Sequence, residues 1–211
     1  MRVIPFTYED YDDLISNTFV LVDENNQCVV IDPGCKYEGI NKYLEKNNLK
    51  LKAVLLTHGH FDHIRGVDTL INKHKVPLYI GFDDVEYLTN SYLNCSSEFS
   101  NHGFVVESKA TPVSEGDVID VLNEKIQVIY TPFHTAGSVC YYLEDSHLLF
   151  TGDSLFYHGI GRTDLPGAKP KELRNSLRKI AELPDEVKVY PGHGPFTSLS
   201  YEHKTNPFVK N

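Results

Sequence analysis

Residues 57–63 read Thr57-His58-Gly59-His60-Phe61-Asp62-His63, three imidazoles and a carboxylate within six consecutive positions. In extended backbone, side chains two apart point to the same side, so His58 and His60 share a face. Gly59 between them lets the chain bend until both rings converge. Asp62 and His63 follow at the mouth of a helix, aimed into the same space. Imidazole and carboxylate together suit zinc, iron or manganese. The bland alternative is a solvated polar loop, but three distant residues extend the set: His134, Asp153 and His193. Taken singly, His134 reads as an ordinary surface or core histidine, Asp153 as a cap or turn residue, and His193 as part of a bare loop between Gly192 and Gly194. Taken together, the seven point to a metal centre.

Such a centre needs elements that deliver its ligands to one place. Apolar runs at 18–22 and 28–31 predict a hairpin around the turn Asp23-Glu24-Asn25-Asn26. Residues 51–56 form a continuous apolar run, the mark of a buried strand. Further strands are expected at 77–80, 117–121, 126–130, 138–143, 147–150 and 187–190. Helical spacing predicts helices over 37–48, 64–73 and 171–182, with a short one at 83–89. The polar stretch 89–101 has no periodicity, and 98–102 reads as loop. The chemistry-bearing residues follow strand ends: Asp32, the His58 segment, His134, Asp153 and His193. Loops at strand ends are where a rigid α/β scaffold presents reactive groups. Each half of the chain reads as one layered α/β unit.

The bulk properties fit an enzyme better than a nucleic-acid or membrane protein. A length of 211 residues with 41% hydrophobic content suits a single domain spanning 1–211. The net charge of −9 comes without a basic stripe, which argues against nucleic acid as a partner. No apolar run approaches the ~20 residues of a membrane helix. The opening MRVIPFTYEDYDD turns acidic at once and lacks the apolar core of a secretion signal, so a cytoplasmic location is expected. Cys28, Cys35, Cys95 and Cys140 form no CxxC pair and read as reduced, mostly buried thiols.

The segments HGHFDH, TPFHTAGS, TGDSLF and PGHG occur in this order and resemble the metallo-β-lactamase superfamily. The resemblance runs from Asp32-Pro33-Gly34 to His193. Gly161-Arg162-Thr163-Asp164 and Asn206-Pro207-Phe208 resemble the short hydrolases close to glyoxalase II. The resemblance implies an αββα four-layer sandwich, two mixed sheets flanked by helices. It also implies two divalent metal ions, zinc first with iron or manganese as alternatives. His58, His60 and His134 would hold one, Asp62, His63 and His193 the other, and Asp153 would bridge them. Two such cations sharing a water produce hydroxide at neutral pH and polarise a carbonyl. A departing thiolate is a weak base, so small-molecule thioesters are the expected substrates, with Asp62 helping to orient the nucleophile.

Three neighbours carry two readings each. Asp32 is either a second-sphere partner of a ligand histidine or a turn residue before Pro33. Arg162 either binds a substrate carboxylate or is held by Asp164. Phe133 stands where relatives often have glycine. His147 and His158 read as surface histidines. Residues 195–211 are too few for the helical domain with which glyoxalase II holds glutathione, so a glutathione substrate does not carry over. The rival enzyme reading is a persulfide dioxygenase of the same fold with one iron; His193 after Gly192 favours two metals. A nuclease is disfavoured by the charge, a β-lactamase by the lack of a secretion signal, and a non-enzymatic metal-binding partner by the intact ligand set. The oligomeric state is open.

Overall fold

The computed structural model describes residues 1–9, 15–34, 39–99 and 103–210. Among these, twelve strands form two sheets of six. The first sheet holds β1 (Arg2–Glu9), β2 (Ile15–Val22), β3 (Gln27–Ile31), β4 (Lys50–Leu55), β5 (Leu78–Gly81) and β6 (Thr111–Val113), side by side in chain order. β1, β2 and β3 pair antiparallel. β3 to β6 pair parallel, because helical crossovers return the chain to the same end of the sheet. These are α1 (Gly39–Lys46), then α2 (Phe61–Ile64) and α3 (Val67–His74).

The second sheet runs in the order β12 (Thr197–Ser198), β11 (Lys188–Pro191), β10 (Leu148–Gly152), β9 (Val139–Leu143), β8 (Ile126–Tyr130), β7 (Val118–Ile119). Only β10 and β11 are parallel in it; they are joined through α5 (Leu173–Ala181). Among the described residues the remaining α-helices are α4 (Ser96–Phe99) and α6 (Leu199–Thr205).

Alternation along the strands makes the layers. Phe19, Leu21, Val29, Ile31 and Leu55 of the first sheet meet Val128, Val139, Tyr141, Leu148 and Phe150 of the second in a shared core. The opposite faces are also apolar. Val20, Val30 and Val54 pack under Ile40, Leu44, Val67 and Leu70 of α1 and α3. Cys140, Leu149 and Val189 pack under Leu177 and Ile180 of α5 and Leu199 of α6. The result is the expected αββα sandwich. Strands buried on both faces explain the continuous apolar runs that marked them in the sequence.

Several boundaries differ from expectation. β1, β6, β12 and α6 were not anticipated. β1 carries Pro5 and runs into the acidic residues that follow, features of a weak strand signal; as an edge strand it tolerates the proline. The helix expected over 64–73 is two helices, because the Gly66 amide donates to the Pro33 carbonyl at 2.7 Å and the chain turns there. The helix expected at 83–89 is a 3₁₀ helix, Phe82–Leu88. The stretch 89–99 is organised despite its polarity: the buried Asn94 side chain donates to the carbonyls of Tyr87 and Phe104. Glu98 and Phe99, expected in a loop, belong to α4, and 100–102 lie outside the described residues. So do Cys35 and the first turn of the helix expected from 37. Cys28, Cys95 and Cys140 are buried free thiols.

Candidate metal centre

All seven residues converge. His58, His60, Asp62 and His63 come off the end of β4 and the first turn of α2, from the first sheet. His134 follows β8, Asp153 follows β10 and His193 follows β11, from the second. The ligating atoms of His58, His60 and His134 lie within 4.8 Å of one another, as do those of Asp62, His63 and His193. Asp153 stands between the two groups. Its carboxylate oxygens are 3.3 Å from His134 Nε2, 3.4 Å from His63 Nε2 and 3.5 Å from His193 Nε2. His193 Nε2 is also 3.2 Å from Asp62 Oδ2.

The donor set fits cations. His58 Nε2, His60 Nε2 and Asp153 Oδ1 are buried without a hydrogen-bond partner, a costly state for polar atoms. His63 Nε2 and His193 Nε2 face each other at 3.3 Å, and His60 Nδ1 and His134 Nε2 at 2.9 Å. Burial and the neighbouring imidazoles push His58 well below the usual histidine range and His60 down to about 3, which leaves lone pairs free for a metal. Burial would raise Asp62 and Asp153, but the surrounding histidines outweigh it and lower both. Burial would lower His63, but Asp62, Asp32 and Asp153 together raise it. His58 and His60 are thus neutral rings beside ionised carboxylates around a shared space.

A second layer of contacts fixes the rings. His134 Nδ1 donates to the Arg162 carbonyl at 2.8 Å, which leaves Nε2 as the lone-pair nitrogen. His63 Nδ1 meets Asp32 Oδ2 at 3.1 Å, so its Nε2 faces the centre. Asp32 also accepts the Thr57 amide at 2.7 Å and the Thr57 hydroxyl. Asp32 thereby takes the supporting position of the two considered, and its left-handed φ of 49° is one that Asp tolerates. Gly192 and Gly161 are among the glycines forced by crowding. A Cβ on Gly192 would sit 2.5 Å from Asp153 Oδ1 and 2.6 Å from His63 Cε1; one on Gly161 would sit 2.1 Å from the Asp153 carbonyl.

Other supports escaped the sequence reading. Three consecutive buried residues of β2 reach three separate loops: Ser16 Oγ donates to the Asp62 carbonyl at 2.8 Å, and Thr18 Oγ1 to the Asp32 carbonyl. Asn17 Nδ2 donates to the carbonyls of Pro191 and Gly194, at 3.0 and 2.9 Å, on either side of His193. Asp84, fully buried, accepts the Gly59 amide at 2.9 Å, the Gly137 amide at 2.6 Å and the Thr135 hydroxyl at 2.6 Å. Burial pushes its carboxyl up to about 6 against these donors. It ties the loop of His58 and His60 to the loop of His134. The only sequence signal was position: Ser16-Asn17-Thr18 and Asp84 are polar residues at the edges of apolar runs.

Above the centre lies a cleft of about 360 Å³ lined by His60, Asp62, His134, Asp153 and His193 as floor. Phe61, Cys95, Phe99, Phe156 and Leu165 form its walls, and Arg162 reaches it from the mouth. Arg162 makes a forked pair with Asp164, Nε to Oδ1 at 2.7 Å and Nη2 to Oδ2 at 2.8 Å. Of its two expected roles, the structure shows the ion pair. His147 and His158 are exposed, as expected.

The metallo-β-lactamase superfamily model matches residues 11–193. The probable metallo-hydrolase YqgX of Bacillus subtilis is 37% identical, with 92% of each chain covered. A Haemophilus influenzae protein named hydroxyacylglutathione hydrolase GloC is 29% identical over 92% of this chain and 93% of its own. The crystal structure of the BLEG-1 B3 metallo-β-lactamase superposes with a TM-score of 0.90 at 33% identity, covering 100% of this chain and 99% of that one. TTHA1623, solved in a di-iron-bound form, gives a TM-score of 0.84 at 34% identity, covering 98% and 100%. By length, order of motifs and fold, the chain belongs to the metallo-β-lactamase superfamily.

Proposed function

We propose that this chain is a two-metal hydrolase of small-molecule thioesters, with Asp153 shared between two cations. His58, His60 and His134 would hold the first; Asp62, His63 and His193 the second. Bound there, the cations would supply Lewis acidity that deprotonates a water near neutral pH and draws charge from a carbonyl oxygen. The carrying observation is the pair of three-residue clusters either side of one carboxylate, on the floor of a cleft. Zinc suits the donors best, and the di-iron form of TTHA1623 makes iron the first alternative.

The cleft argues for water as nucleophile. Among the described lining residues the thiol is that of Cys95, and burial pushes it up to about 11, so it stays protonated at neutral pH. The Asp62 carboxylate, which the histidines hold toward its ionised form, would orient the attacking oxygen. The leaving group decides the substrate class. An amine needs a proton to depart; a thiolate does not. That favours a thioester over the β-lactam amide that BLEG-1's description suggests, and GloC's name points to the same class. Arg162 would exchange Asp164 for a substrate carboxylate at the mouth. The single-iron persulfide dioxygenase leaves the Asp62, His63 and His193 cluster without a task. Buried free thiols suit the reducing cytoplasm, where we place the protein.

The test is elemental analysis of the purified protein followed by a thioester panel read by released thiol. Two metal equivalents and turnover are expected. His58→Ala should lose metal and cut turnover by more than about 100-fold, beyond what second-sphere changes cost. Wild-type turnover in a folded His58→Ala protein would show the site to be misassigned.

A further inference from the structure

Asn206-Pro207-Phe208 stood out in the sequence, and the metal centre makes no use of it. Its structural role lies at the cleft. Residues 156–159 form a tight turn, with the Phe156 amide donating to the Gly159 carbonyl at 2.9 Å. His158 at its tip has a left-handed φ of 58°, uncommon outside glycine although His adopts it more readily than most residues. α6 clamps this turn. Asn206 Nδ2 donates to the carbonyl of Gly159 at 3.1 Å, and shares contacts with that of Phe156 at 3.4 Å and with Glu202 Oε2 at 2.9 Å. Glu202 Oε2 accepts the His158 amide at 2.9 Å, and Oε1 accepts the Thr197 hydroxyl at 2.6 Å. Glu202 and Asn206 are both 0% exposed. A carboxylate buried so deeply is costly unless its oxygens are filled, and here protein donors fill them. On the outside, the Tyr157 ring stacks on Tyr201 at 5.4 Å and 7°, and His158 Nε2 meets the Tyr201 hydroxyl at 3.0 Å.

The clamp fixes Phe156. Its ring stands edge-on to His193, centroids 5.8 Å apart at 89°, and lines the cleft with Phe99 and Leu165. Phe99 in turn stacks on Phe61 at 6.5 Å and 10°. Among the described lining residues the cationic side chain is Arg162, already forked onto Asp164. Such a cleft offers flat apolar surface next to the metal clusters and little to bind a multiply charged thiol. We infer that Phe156, held by Glu202 of α6 and by Asn206 just past its end, is a specificity-determining wall that selects thioesters carrying a ring-sized apolar acyl group. A wall held rigid before binding contributes more than one that must be ordered by the ligand.

This rests on the thioester reading, and the experiment separates the two. The metal-loaded protein is assayed with S-phenylacetyl- and S-acetyl-N-acetylcysteamine and with S-lactoylglutathione. Phenylacetyl should exceed acetyl in kcat/KM by about tenfold or more, mostly through KM. Phe156→Ala should collapse that ratio. Asn206→Ala should do the same at unchanged metal content, and Tyr201→Ala, a surface change, provides the clamp test if Asn206→Ala does not fold. Calorimetric binding of phenylacetate against acetate gives a readout free of turnover, and the preference should fall in parallel. Equal or inverted preference in wild type, or a ratio unmoved by Phe156→Ala, overturns the inference while thioester hydrolysis stands. No thiol release from any of the three overturns both.

Discussion

At the scale of single residues, the chemistry depends on which groups are not ionised as much as on which are. His58 and His60 are held neutral by burial and by each other, whereas the floor carboxylates are held charged. Cys95 sits on the cleft wall, 2% exposed, with a thiol pushed up by burial, and further by Glu98 and Asp62. The sign follows directly: raising a thiol's pKa removes thiolate at neutral pH and restores it only as pH climbs toward 11. Alkylation of Cys95, followed by peptide mass spectrometry, should therefore rise about tenfold per pH unit from 7 to 10 without levelling. A plateau near pH 8 would mark an ordinary thiolate and reopen the case for a protein nucleophile. The convergence of the seven candidate residues was legible in the sequence because imidazoles and carboxylates at this density have few other uses. Arg162 was only half legible, since its backbone carbonyl orients His134 while its side chain is engaged by Asp164, and backbone roles leave no mark in residue type.

At the scale of elements, β2 is the strand on which the centre is strung. Ser16, Asn17 and Thr18 each reach a different loop, so one strand sets the relative positions of Asp62, His193 and Asp32. Asn17 holds the His193 loop from both sides. Asn17→Ala removes both bonds and should release His193 from the second cluster while leaving His58, His60 and His134 in place. Metal content should fall from two equivalents toward one, with affinity at the second position weakened roughly 10–100-fold. Retention of both equivalents at wild-type affinity would assign Asn17 to folding alone. Elements were legible where burial is two-sided: β3, β4, β9 and β10 are rich in buried apolar residues, and each was found. β1 was lost because Pro5 and the acids that follow interrupt any strand-like apolar pattern. The 64–73 helix was read as unbroken because Gly66 binds Pro33, a partner 33 positions away that no local pattern can reveal. Asp84 was hidden for the same reason: its partners at Gly59, Thr135 and Gly137 are near only in the fold.

At the scale of the whole molecule, the centre is a seam. Four ligand residues come from loops of the first sheet and three from loops of the second. Between the sheets the apolar core is continuous, but at this end the seam is polar: Asp32, Asp62 and Asp153 lie buried together in a chain of net charge −9. Without cations, several buried lone pairs go unmatched; cations held there would tie the two sheets together. Ligand binding to the folded state alone stabilises by RT ln(1 + [L]/Kd), about 2.7 kcal/mol at a hundredfold excess over Kd. For a chain of this size each kcal/mol moves Tm by about 2–4 °C. Chelation should therefore lower Tm by about 5–10 °C for each cation held that tightly, and readdition of zinc should restore it. The loss should show as faster amide exchange first in the loops after β4, β8, β10 and β11, where the ligands sit, ahead of the core strands. His193→Ala should show a smaller shift on chelation, since only the cluster of His58, His60 and His134 remains to be emptied. A Tm that does not move when both metals are demonstrably removed would mean the two sheets hold this seam closed without them, and the cations would then serve chemistry alone.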